Sequence, residues 1–184
     1  AKAYEYLVKT IGKNRLESGA YRIWDMAAGS GNLEFTLPQA ALPYTYISTL
    51  SEDDANYCRR IFSAAEVFQY DYLNDDVEEL FGEGDGQRRK KLKWLIFINP
   101  PFATSNLSAF SAGKVSKNGV SDTAIRRVML KNGYGETGRE LFSQFLFRIS
   151  REFEGKKGYL GLFSTLKYLN APNDRKLREG FFRY

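Results

Sequence analysis

The sequence predicts an α/β domain built on a mostly parallel, doubly wound sheet, and three observations carry that expectation. Five short runs rich in Tyr, Ile, Phe and Val recur along the chain, several unbroken by polar residues, as strands buried on both faces require. Longer stretches with helical spacing lie between several of them, and such alternation builds a parallel sheet with helices on its faces. The 184 residues are 43% hydrophobic and 15% aromatic, enough for the core of one domain and too apolar for a disordered chain.

In chain order, residues 3–11 read as a helix. The first strand, 21–26, runs into a glycine turn. The second, 44–49, precedes a helix over 52–62 whose first turn carries Glu52, Asp53 and Asp54, acids that complement the partial positive charge of a helix N-terminus. A third strand covers 67–71 and a short helix 75–81. Gly82, Gly84 and Gly86 then open a connection that ends in a basic run at Lys91. The fourth strand, 94–99, stops at two consecutive prolines. Residues 103–137 form a long loop rich in Ser, Asn, Gly and Thr, far longer than ordinary connections, with a short helix at 123–131 inside it. From 138 to 153, Leu141, Phe145, Ile149 and Phe153 recur four apart, the stripe of an amphipathic helix, and the fifth strand spans 159–165. Residues 180–184 read as the tail of a helix or the start of another element. Both ends look like cuts, so residues 1–184 are expected to be a fragment of a longer protein.

Absences narrow the chemistry. There is no His, which excludes Ser-His-Asp and Cys-His catalysis, His-based zinc sites and an imidazole general base. One cysteine, Cys58, makes no internal disulfide and no cysteine-rich metal site, and it reads as a small buried apolar residue. No apolar run approaches the ~18 residues of a membrane span, and the N-terminus lacks the apolar stretch of a signal peptide, so a soluble, cytoplasmic protein is expected. Lys and Arg outnumber Asp and Glu by 27 to 22, a net charge of +5. Seven acids between Asp71 and Asp85 are followed by five bases between Arg88 and Lys93, a pattern that fits a mixed solvated surface or a side facing a polyanion.

Two strings carry the candidate chemistry. Asp25-Met26-Ala27-Ala28-Gly29-Ser30-Gly31-Asn32 ends the first strand in a turn whose glycines permit positive φ and close approach of backbone to a ligand. It is no phosphate loop, because the Gly-Lys-Ser/Thr ending is missing, and Glu34 replaces the third glycine of a dinucleotide fingerprint. Asn99-Pro100-Pro101-Phe102 ends the fourth strand. Two prolines donate no ladder hydrogen bond, so the chain leaves the sheet there, presenting an amide, a proline carbonyl and an aromatic ring at the carboxyl edge where ligands bind.

Together, in this order and 74 residues apart, these strings resemble the amino-methyltransferases that use S-adenosylmethionine, above all the DNA adenine-N6 enzymes of restriction-modification systems. The resemblance covers about residues 21–182. It implies a Rossmann-like class I methyltransferase sheet, here stopping before a closing C-terminal β-hairpin and so leaving an exposed edge beside residues 159–165. It implies that Asp25, Ala27, Gly29 and Gly31 hold the methionine part of the cofactor and that Asp71 with Tyr72 meets its adenine. Asn99, Pro100, Pro101 and Phe102 would hold the target amine. The implied partners are DNA and specificity or restriction parts of the parent protein, in a prokaryotic or phage setting. One position departs from the family: Leu50 stands where an acid usually binds the ribose hydroxyls, so Glu52 takes that role, or Thr49 or Ser51 more weakly. Two other functions fit the same strings, namely methylation of a release-factor glutamine or a ribosomal RNA base, and a non-catalytic module that keeps the fold.

Overall fold

The computed structural model describes residues 2–76, 92–102, 122–164 and 167–181. All but the first two residues of the expected helix at 75–81, the glycine-rich connection and most of the long loop lie outside the described residues. The chain divides into two compact units, Ala1–Asn99 with Lys156–Phe163, and Pro100–Gly155 with Ser164–Tyr184.

The first unit holds a five-stranded, all-parallel sheet. Its elements are α1 (Lys2–Ile11), α2 (Lys13–Glu17), β1 (Arg22–Asp25), β2 (Thr45–Thr49), α3 (Glu52–Ile61), β3 (Glu66–Gln69), β4 (Trp94–Ile98) and β5 (Gly158–Leu162). The strand order is β3-β2-β1-β4-β5, so β1 lies between β2 and β4 as expected for a doubly wound sheet. Every residue of β4, Trp-Leu-Ile-Phe-Ile, is buried, which is why its sequence shows no polar alternation. Leu16, Ile23, Ile47, Cys58 and Leu95 centre one core, and Trp24 anchors another group of rings with Tyr70, Tyr72 and Trp94. The α3 helix starts where Ser51 Oγ accepts the Asp54 N–H at 3.3 Å, an N-cap reinforced by three acids in the first turn. Among the described residues β5 ends the sheet, with Tyr159 and Phe163 exposed.

The second unit is helical. It contains α4 (Ala124–Lys131), α5 (Leu141–Glu152), α6 (Lys167–Asn170) and α7 (Arg175–Phe181). Thr123 caps α4 by accepting the Arg126 N–H at 3.0 Å, and its hydroxyl donates to Gln144 of α5. The expected helix over 138–153 begins three residues later, because a 3-10 turn, Gly135–Arg139, takes up the preceding segment. No helix among the described residues is long and apolar enough to cross a membrane.

Candidate functional site

In the first unit the chain leaves β1 through a tightly held turn. Asp25 Oδ1 accepts the Ala27 N–H at 2.8 Å, the Ala28 N–H donates to Ser48 O at 3.0 Å, and the Gly31 N–H donates to Ala28 O at 2.9 Å. The turn is thereby tied to β2 as well as to itself. Gly29 and Gly31 have φ of +54° and +80°, in the left-handed region that side chains disfavour. Their surroundings differ. A Cβ on Gly29 would meet nothing within 4 Å, so its backbone is open to a ligand, whereas one on Gly31 would come within 2.4 Å of the Phe62 ring. Gly31 is thus needed for packing as well as for its conformation.

Cys58 backs this turn from α3. Its thiol donates to Gly29 O at 3.5 Å, and burial first, then nearby acids, pushes its pKa up to about 11. A thiol held protonated is a poor nucleophile, in keeping with a packing role. Beneath the turn lie two carboxyls, Asp25 (2% exposed) and Glu34 (1% exposed). Burial, then the charge of Glu34, raises Asp25 well above the ordinary aspartate range, and burial raises Glu34 from 4.5 to about 7. The two carboxyls interact directly with each other, and apart from that contact neither oxygen of Glu34 has a hydrogen-bond partner among the described residues. Sequence reasoning noted Glu34 only as the residue that spoils a dinucleotide fingerprint.

Asn99 follows β4, the parallel neighbour of β1, with Trp24 opposite Ile96. The turn after β1 and Asn99 therefore leave adjacent strands at the same carboxyl edge, and Asn99 is exposed there. The Phe163 N–H donates to Ile98 O at 3.0 Å, so the last carbonyl before Asn99 is fixed. The other expected cofactor residues follow β2 and β3 at that edge. Glu52 is exposed and pairs with Arg59 at 2.7 Å, while Leu50 is 67% exposed and its carbonyl accepts from Gln69 Nε2 at 3.0 Å. Thr49 is buried, and Ser51 is occupied as the α3 cap. Asp71 shapes its own turn, accepting the Leu73 N–H at 3.0 Å and the Asn74 side-chain amide at 2.6 Å. Tyr72 is buried, edge-on to Trp24 at 5.9 Å, so its ring belongs to the core.

In the second unit, Pro100 is buried while Pro101 and Phe102 are exposed. Phe102 is 56% exposed and stacks on Phe142 of α5, with centroids 5.5 Å apart and planes 15° from parallel. The ring is thus held on one side and open on the other. Among the described residues no group of three or more His, Cys, Asp or Glu is placed to hold a metal ion. Set beside known proteins, the chain matches no family model and no curated protein.

Proposed function

We propose that this chain is the catalytic domain of an S-adenosylmethionine-dependent DNA adenine-N6 methyltransferase of the restriction-modification type. The observation that supports it is that the glycine turn after β1 and Asn99 after β4 leave neighbouring parallel strands at one edge. The open backbone at Gly29 fits a cofactor lying against the turn, and the bound cofactor supplies an electrophilic methyl group on a sulfonium.

The chain's residues divide the remaining work. Asp25, Ala27, Gly29 and Gly31 hold the methionine part. Asp71, with the backbone of Tyr72, serves the adenine end and Glu52 the ribose, after release from Arg59. The amine lone pair of adenine N6 is delocalised into the ring, so it must be steered rather than deprotonated. The Asn99 side-chain oxygen and the Pro100 carbonyl accept its two N–H bonds, directing the nitrogen towards tetrahedral geometry in line with the methyl group. Pro101 fixes the backbone of that unit, and Phe102 offers its free face to a base flipped out of the duplex. No general base is required, which suits a chain without His.

A methyl-transfer assay offering DNA, ribosomal RNA and release factor in parallel tests the proposal. Label recovered as N6-methyladenine in DNA is the expected result. Label in RNA or in glutamine would move the substrate to one of those classes, and no transfer to any acceptor would refute the proposal.

A further inference from the structure

Glu34 inverts a local rule. The 3-10 segment Glu34–Thr36 turns this carboxyl inward and its apolar neighbour Phe35 outward, 59% exposed. Hydrophobic burial favours the reverse, and such conflicts concentrate where a residue serves something other than stability. Two further features bear on what that is. Both Glu34 oxygens are buried, and apart from the carboxyl of Asp25, with which Glu34 interacts, they have no hydrogen-bond partner among the described residues. Moreover, among the described residues the charges that act on this pair and on the neighbouring neutral thiol of Cys58 are those of Asp25, Glu34 and, from α3, Asp54, all of them acids.

Two ionised carboxylates side by side and out of water repel, so such a pair keeps one proton and titrates as a unit. We propose that Asp25 and Glu34 form a proton-sharing carboxyl pair under the glycine turn, which serves as counter-charge to the cationic amino group of the ligand and gives up its shared proton when that group binds. On binding, the O–H bond of the protonated carboxyl breaks, the proton passes to solvent, and two carboxylates face one ammonium. The proposal rests on reading the turn as the cofactor site, and adds to it Glu34 and a proton coupled to occupancy.

Calorimetry of S-adenosylmethionine binding at about pH 6, in two buffers of different ionisation enthalpy, counts the protons released. The wild-type protein is expected to release about one proton per cofactor bound, and Glu34→Gln to bind while releasing essentially none. Binding by the wild type without proton release, or equal release by Glu34→Gln, overturns the carboxyl pair and leaves the cofactor reading standing. Failure of the wild type to bind overturns both. Should Glu34→Gln not fold, carboxyl-carbon NMR of the wild type decides. A resonance titrating near neutrality in the free protein and shifted well below it by S-adenosylmethionine supports the pair, and one unmoved by the cofactor refutes it.

Discussion

Replacing Glu34 by Gln is expected to flatten the dependence of stability on pH. Burial keeps the Glu34 proton in place until about pH 7 in the folded chain, against 4.5 for an ordinary glutamate. Across that interval the folded state binds more protons than the unfolded one, so stability falls as pH rises through it. The penalty is absent at the acid end and complete at the neutral end. At about 1.4 kcal/mol per pH unit, the wild type loses about 3 kcal/mol over the window relative to a chain with no titrating group at this position. Asp25, raised by burial and by Glu34, acts with the same sign, and removing Glu34 relieves part of its shift. A buried Gln without partners carries its own cost, but that cost does not vary with pH, so the slope is the quantity to read. Urea unfolding of both proteins at about pH 5 and about pH 8 measures it, with the wild type losing ground to Glu34→Gln at the higher pH. A difference between the two proteins that is the same at both pH values would refute the reasoning.

Other substitutions test separate parts of the structure. Gly31→Ala places a Cβ at a φ of +80° and within 2.4 Å of the Phe62 ring, and is expected to cost about 2 to 3 kcal/mol in urea unfolding. Thr123→Val removes the acceptor for the Arg126 N–H and the bond to Gln144, and should lower stability by about 1 to 2 kcal/mol by the same measurement. Phe102→Ala removes the half-open ring stacked on Phe142 and is expected to weaken binding of DNA carrying an unpaired target adenine by ~1 to 3 kcal/mol. Unchanged affinity in a fluorescence anisotropy titration would count against base stacking there.

The parts of the fold written in hydrophobic pattern were legible in advance. The unbroken run of β4 and the spacing of Leu141, Phe145 and Ile149 in α5 each report a single dominant force, burial, and both elements form there, the helix starting three residues later than expected. The order of β2, β1 and β4 is the one that analogy with doubly wound sheets and the right-handed crossover rule together lead to. Boundaries set by side-chain hydrogen bonds were less visible. The third strand ends at Gln69 rather than residue 71, because Asp71 turns its carboxylate into the next turn and competes with the ladder. The 3-10 turn at Gly135–Arg139 escaped notice within a stretch whose composition reads as loop. Glu34 was the largest omission at the site. Between Leu33 and Phe35 a glutamate reads as the solvent-facing member of the pattern, and only the direction of a three-residue turn sends it inward and Phe35 out. By contrast, Gly29 and Gly31 announced themselves, since two glycines after a buried strand imply the left-handed backbone both adopt.

Asn99 stands exposed at the edge where β1 and β4 end, and the proposed chemistry depends on its side-chain oxygen as an acceptor for the target amine. Asn99→Ala leaves Asp25, Gly29 and Gly31 untouched, so the dissociation constant for S-adenosylmethionine should be unchanged while the rate of methyl transfer to DNA falls by roughly two orders of magnitude or more. An Asn99→Ala protein that methylates adenine at the wild-type rate would contradict the assignment of this edge as a methyl-transfer site.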